Sequence, residues 1–419
     1  MVSLGRLRRL LAFVLLTAGR ALGGDEPLRI DSYVDLVVRS NPGSDVGKAL
    51  EERGAAERRG ARLIADPTLE LTFGRGRPTD GTSDRAPETG ISISQNLPWP
   101  LTRAATIQAA DFSAEAGNAQ AAAVRRGLVV QARTAFYALL RTRALVAVER
   151  SAESDARSLS ELVARRAELG ESREVDRIKA RVEWLKQQRE LSAVEREAAA
   201  AEAVIRALAV VPLPRPLLVD GELPGTSTGI GRTGDVLFRA IDGNPDLLRS
   251  KAEAVRASAL LSAARRSRVP DLGLSLFHQK EIDRDAYGFS LGVTVPLWNA
   301  RRGDVAKAAA EASLADAEAR RARVALLAEL EERLKDVDVA SSQASTLMTE
   351  LVPAATESLR LARLLYEEGE TSLLDLLDAQ RTARETRREE IRARYDLGRA
   401  LNELYRLLGP ETPEGRSSR

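Results

Sequence analysis

The chain has 419 residues, with 63 Lys+Arg against 61 Asp+Glu and a formal net charge of +2, so it carries no general basic field for nucleic acid. Charged residues make up 30% and aromatics only 4%, which points to long helices rather than a compact enzyme core. The absence of cysteine excludes disulfides, thiolate metal sites, thiol nucleophiles and a lipid-modified N-terminal cysteine, and one histidine with two methionines leaves little for transition-metal ligation.

At the start of the chain, Arg6, Arg8 and Arg9 precede an apolar run over residues 10–17. Small residues around Ala21-Leu22-Gly23 follow, then acidic Asp25 and Glu26. This layout predicts a secretory signal peptide over residues 1–23, cut after Gly23 or Gly24. The alternative reading is the start of a buried amphipathic helix. An exported chain of this composition is expected in the periplasm or the outer membrane. No run reaches the ~18 apolar residues that a membrane-spanning helix requires.

The sequence repeats itself. Asn41-Pro42 returns as Asn244-Pro245, and Pro67-Thr68-Leu69-Glu70-Leu71 as Pro270-Asp271-Leu272-Gly273-Leu274, both 203 residues on. Gly90-Ile91-Ser92-Ile93 then matches Gly288-Phe289-Ser290-Leu291 at an offset of 198. Leu169-Gly170-Glu171-Ser172 matches Glu368-Gly369-Glu370-Thr371, and Asp176 matches Asp375, at 199. The expected organisation is a first repeat over residues 24–211, a Pro/Gly-rich connector over 212–232, a second repeat over 233–408 and a disordered tail over 409–419.

Each repeat reads the same way in chain order. A helical stretch comes first, over residues 32–65 and 235–269, interrupted at its Asn-Pro because the residue before proline avoids helical angles. Two segments of period-2 alternation follow, predicting a β-hairpin over about residues 68–97 and again over about 271–295. Leu69, Leu71 and Phe73 alternate with Thr68, Glu70 and Thr72, while Phe289, Leu291 and Val293 alternate with Ser290 and Gly292. Strands of about 8–10 residues suit a tilted bilayer crossing. After the hairpin, residues 100–168 hold no proline inside the run and predict one helix of roughly 100 Å at ~1.5 Å per residue. A tight turn at 169–172, and at 368–371 in the second repeat, sends a long helix back. Leu397, Leu401, Leu404 and Leu408 form a heptad-like seam on the last one.

Four strands with one apolar face cannot close a barrel alone, and an open sheet in lipid leaves unsatisfied edges. Three chains would supply twelve strands and close one, with the helical hairpins forming a tube. The competing architecture is a periplasmic coiled-coil protein with a small soluble sheet.

The Asn-Pro repeat starts, the Pro-x-Leu-x-Leu strand openings and the Ser94-Gln95-Asn96-Leu97-Pro98-Trp99-Pro100 and Thr294-Val295-Pro296-Leu297-Trp298 junctions resemble the TolC-like outer-membrane efflux proteins. So does the run from Tyr366 through Gly369-Glu370-Thr371 to Leu373-Leu374-Asp375-Leu376-Leu377-Asp378-Ala379-Gln380. The resemblance spans residues 32–408. It implies a mainly α fold with a small β part: a homotrimer combining a twelve-stranded outer-membrane β-barrel with a periplasmic α-barrel. The implied function is a passive exit duct of a tripartite efflux system, carrying heavy-metal ions or drugs, or of a type I secretion system. The implied partners are a periplasmic adaptor, an inner-membrane transporter of RND or ABC type and outer-membrane lipid, with no nucleic acid.

No catalytic, cofactor-binding or metal-binding residues are expected. His278 sits alone in an alternating strand, and Glu331-Glu332 and Glu389-Glu390 lie among arginines and read as solvated ion-paired faces. The expected sites are of another kind. The breaks at Leu169, Gly170, Glu171 and Ser172 and at Glu368, Gly369, Glu370 and Thr371 are expected to dock the adaptor. Asp375 and Asp378, three apart, share a helix face; with Leu373, Leu374, Leu376 and Leu377 on the packed faces they would point into the lumen, where a trimer makes rings of carboxylates. The resemblance adds that Tyr366 ties neighbouring hairpins closed and that Thr371 stands where the prototype has a basic residue. The first repeat has Asp176 but Lys179, so the rings are expected mainly from the second.

Overall fold

The computed structural model describes residues 27–76, 86–225, 241–281, 284–293 and 301–409. The expected signal peptide, the 294–298 junction, most of the second half of the connector and nearly all of the tail lie outside these residues. The chain divides into two compact bodies: Met1–Ser44, Arg125–Ala240 and Ala328–Arg419 in one, Asp45–Val124 and Ile241–Leu327 in the other. The fold is mainly helical.

The second body carries a four-stranded antiparallel sheet of β2 (Thr68–Gly76), β3 (Ala86–Leu97), β5 (Leu272–Lys280) and β6 (Asp285–Val293), in the order β2-β3-β5-β6. Its register builds cross-strand rows. Leu69, Ile93, Leu276 and Phe289 stand in one row, and Leu71, Ile91, His278 and Tyr287 in the next. Alternate rows are polar or small: Thr68, Ser94, Ser275 and Ser290 form one of them. Side chains alternate across a strand, so one face is apolar in all four strands and the other largely hydrophilic. The apolar face is bare: Phe73 is 76% exposed, Phe289 74% and Tyr287 87%. Phe277 is the exception on the hydrophilic face. It lies over Gly288, where a Cβ would stand 2.9 Å from its ring.

Helices α2 (Pro42–Arg62) and α5 (Pro245–Arg266) precede the two hairpins. The residues before their prolines, Asn41 and Asn244, are extended, as sterics before proline require. Asn244 also caps α5, accepting from the Asp246 and Leu247 amides. After the first hairpin the chain enters α3 (Pro100–Glu168), after the second α6 (Arg302–Thr346). Small residues let α2 and α3 approach closely: a Cβ on Gly54 would meet the Ala114 Cα at 2.9 Å.

In the first body, β1 (Leu28–Arg29) pairs in parallel with β4 (Val219–Asp220) beside α1 (Ile30–Ser40). Tyr33, Val37, Phe136, Leu139, Ile205 and Leu217 form its core there. Tyr33 donates its buried hydroxyl to the Ile205 carbonyl at 3.1 Å, which satisfies the group that burial would otherwise strand. Two helical hairpins make up the rest. The first joins the end of α3 to α4 (Glu174–Ala209), and the second joins α7 (Val352–Glu367) to α8 (Leu373–Leu408). A π-helical turn, Leu347–Leu351, separates α6 from α7. Such a turn absorbs one extra residue in a helix. The repeat offset steps by one residue, from 198 at the strands to 199 at the hairpin turns, across this same stretch.

Candidate functional site

Both helical hairpins end in the same turn. Gly170 and Gly369 each have φ +79°, and nothing lies within 4 Å of where a Cβ would sit. The left-handed backbone, not crowding, therefore selects glycine. Glu171 donates its amide to the Arg166 carbonyl and Gly170 to Ala167; Glu370 donates to Leu365 and Gly369 to Tyr366. Each is a Schellman motif, which satisfies carbonyls left open at the helix end. Leu169 is 73% exposed, and Glu171, Glu368 and Glu370 are exposed with it while Ser172 and Thr371 are intermediate.

The returning helices start differently. In the second repeat Ser372 is the N-cap: its hydroxyl accepts from the Asp375 amide, and the Asp375 carboxylate accepts from the Ser372 amide, making a reciprocal capping box. The Ser372 hydroxyl at 2.6 Å and the Thr371 hydroxyl at 3.0 Å also reach the same carboxylate. The three bonds that the carboxylate accepts all fall on Oδ2, leaving Oδ1 open. They hold its carboxyl below the usual aspartate range, the Ser372 hydroxyl contributing most. Asp378 is exposed and makes no hydrogen bond or ion pair among the described residues. The first repeat has Arg173 at the cap, and its Nε lies 2.9 Å from a buried Asp176.

Leu374 does not take the packed position expected for it. It is 63% exposed and lies four residues before Asp378, so it shares the aspartates' open face. Leu373 and Leu376 are buried, and Leu377 packs beside them against Leu159, Val163 and Ala180 of the first hairpin. Tyr366 is buried in the same cluster, with the Arg166 guanidinium 5.6 Å from its ring centroid. Burial pushes its hydroxyl up in pKa, partly offset by Arg166. Tyr366 thus joins the two hairpins of one chain near their turns.

Residues 236–410 match the family described as outer membrane efflux protein. The chain is 26% identical to the cobalt-zinc-cadmium resistance protein CzcC of Cupriavidus metallidurans, over 91% of this chain and 90% of that one. It is 25% identical to the pyoverdine export outer membrane protein OpmQ of Pseudomonas aeruginosa, over 93% and 86%. Among solved structures, CusC superposes with a TM-score of 0.79 at 17% identity, covering 91% of this chain and 92% of that one. VceC of Vibrio cholerae superposes at 0.76 with 17% identity, covering 91% and 96%.

The second half of the chain is thus similar in sequence to the outer membrane efflux proteins, and the chain shares the fold of the solved channels.

Within the chain the two hairpins are tied by charge as well as by the tip cluster. Arg363 pairs with Asp155 at 2.6 Å, Arg384 with Glu183 at 3.8 Å, and Arg388 with Glu190 at 3.1 Å and with Glu149 at 3.2 Å. Every acid comes from the first repeat and every arginine from the second. Glu149 is fully buried. Its Arg388 contact is within ion-pair distance but outside hydrogen-bond geometry, so neither carboxylate oxygen is satisfied. Burial pushes its carboxyl up more than Arg388 and Arg384 pull it down.

Sequence reading missed this network because it treated acids among arginines as solvated. Glu390 corrects that reading directly: it is buried, with Arg387 and Arg394 around it, while Glu389 is exposed. The capping box was available in the sequence, as Ser372 three residues before Asp375. His278 stands on the apolar face of the sheet, 2.6 Å from Asp285.

Proposed function

We propose that three copies of this chain form a passive exit duct through the outer membrane. The observation that carries this is the bare apolar face of the four-stranded sheet, whose outer strands β2 and β6 have no further neighbour among the described residues. Lipid cannot hydrogen-bond an open strand edge, so a membrane sheet has to close. Pairing β6 of one chain with β2 of the next closes twelve strands, an even number of the kind outer-membrane barrels use. The hairpins then line a periplasmic tube, with the turns at Leu169–Ser172 and Glu368–Thr371 docking a periplasmic adaptor and through it an inner-membrane transporter of RND or ABC type. Asp375 and Asp378 form the charged rings of a gate, and Tyr366 helps hold it.

The transporter sets the cargo. Heavy-metal ions are the favoured cargo, because the match to the cobalt-zinc-cadmium resistance protein covers nine-tenths of both chains; export of a small organic chelator is the second reading, on the strength of the pyoverdine exporter. Detergent-extracted protein is expected to weigh three times the monomer by mass photometry; a monomer stable without detergent overturns the duct. Deletion of the gene is expected to sensitise cells to cobalt, zinc or cadmium, and unchanged metal tolerance removes that cargo.

A further inference from the structure

Helices α4 and α8 are both 36 residues long, and both their first and last residues stand 199 apart. They are therefore the same element twice, residue for residue. One stripe of α8 faces the first hairpin of its own chain: Leu377 in the tip cluster, Arg384 on Glu183, and Arg388 on Glu149 and Glu190. The equivalent stripe on α4 is Ile178, Leu185 and Arg189, with Val182 between. It is left open among the described residues: Ile178 is 52%, Val182 45% and Leu185 48% exposed. Arg189 is exposed and has no partner among the described residues.

The receiving groove has changed in step. In the first hairpin it offers Asp155, Glu183 and Glu190 to the arginines of the second. The equivalent positions of the second hairpin are Ala354, Thr382 and Glu389, all exposed. The groove is thus uncharged where the α4 stripe is apolar. It keeps a carboxylate only where that stripe keeps its arginine, and Glu389, like Arg189, makes no ion pair among the described residues.

We infer that α4 of one chain lies in the α7–α8 groove of the next, its apolar stripe covered there and Arg189 paired with Glu389. This rests on the trimer proposed above. In a ring of three duplicated chains the hairpins alternate, so the second hairpin of each chain meets the first hairpin of the next, a head-to-tail contact that closes. The contact within a chain is then arginine on carboxylate, and the contact between chains mainly apolar. The two cannot exchange, because moving either stripe to the other groove leaves charges facing apolar side chains. An exposed apolar stripe of this regularity calls for a covering partner, and the groove that matches it in both charge and position belongs to a second copy.

The absence of cysteine allows a clean test. Arg189→Cys and Glu389→Cys are introduced together and treated with a short bifunctional thiol reagent, since long ion-paired side chains hold their Cα atoms further apart than a disulfide spans. Denaturing gels are expected to show covalent dimers and trimers, with each single variant running as monomer. Glu190→Cys with Arg388→Cys is expected to be bridged within one chain and keep monomer mobility. Uncrosslinked monomers from particles that still weigh three chains would overturn this contact while leaving the trimer standing; particles of another mass would overturn the trimer and this contact with it. Charge reversal gives an independent reading. Arg189→Glu and Glu389→Arg are each expected to lower the temperature at which the trimer dissociates in detergent, and the double reversal to restore it. Additive losses in the double variant overturn the pairing.

Discussion

Asp176 and Asp375 occupy the same position of the duplicated hairpin, the third residue of the returning helix, yet one is buried against Arg173 and the other is exposed and held by Ser372 and Thr371. The first is neutralised by a guanidinium. The second keeps its charge, because hydroxyls and an amide stabilise a carboxylate without cancelling it. Duplication supplied two identical turns, and divergence at the cap residue left the charge open on only one.

The first prediction concerns that cap. Ser372→Ala removes the hydroxyl that both accepts from the Asp375 amide and donates to its carboxylate. Loss of an N-cap costs about 1 kcal/mol. Amide exchange in the first turn of α8 is expected to quicken roughly fivefold, while α4 is unaffected. Unchanged exchange would mean the turn is held by the tip cluster alone.

The second concerns Glu149 and Arg388. Burial raises the Glu149 carboxyl above the ordinary value of 4.5, so the folded protein binds this proton more tightly than the unfolded chain. The favourable contribution is complete below 4.5 and is lost as pH rises through the folded value. Glu149→Gln is therefore expected to match the parent in acid and to equal or exceed its stability at neutral pH. Arg388→Ala instead strands a buried carboxylate. It is expected to cost roughly 2 kcal/mol, less than a fully buried pair because Arg388 is partly exposed. Thermal unfolding across pH 4 to 8 checks both; a Glu149→Gln variant that is weaker at neutral pH than in acid, relative to the parent, contradicts this account.

Much of the fold was legible because it is periodic and said twice. The strand alternation at Leu69, Leu71 and Phe73, the uninterrupted run into Glu168 and the glycines at the turns are local signals, each with a local physical cause. What was not legible depends on helices meeting far apart in sequence. Nothing near Glu149 marks it as buried, since its cover comes from α8 more than 200 residues on, and nothing near Leu374 shows that its face is open. The π-helical turn was half visible: the step in repeat offset demanded one extra residue but did not say where.

The third prediction tests the membrane face. Phe289 and Leu276 stand in one row on the apolar face, while Ser275 and Ser290 face the other way. A lysine facing lipid at mid-depth costs about 2–4 kcal/mol, whereas the lumenal side tolerates charge. Leu276→Lys is expected to lower the amount of protein recovered in outer membranes severalfold, and Ser275→Lys to leave it near the parent level. Equal recovery would mean the apolar face is not against lipid.

The last prediction concerns the charged rings. Asp378 makes no hydrogen bond or ion pair among the described residues, and Asp375 spends only one oxygen on the cap, so both can present charge to a pore. The capping bonds lower the Asp375 pKa, so it is ionised throughout the physiological range. In the proposed trimer, three carboxylates at each level would attract cations and bind trivalent ones most strongly. Single-channel recording in planar bilayers separates charge from structure. Asp375→Asn with Asp378→Asn is expected to abolish cation preference and to weaken block by trivalent cations at least tenfold. Ser372→Ala loosens the same turn but keeps both carboxylates, so it is expected to retain selectivity. If the double asparagine variant keeps the parent's selectivity and block, the aspartates face outward. If Ser372→Ala loses them as well, the turn's geometry and not its charge sets the gate.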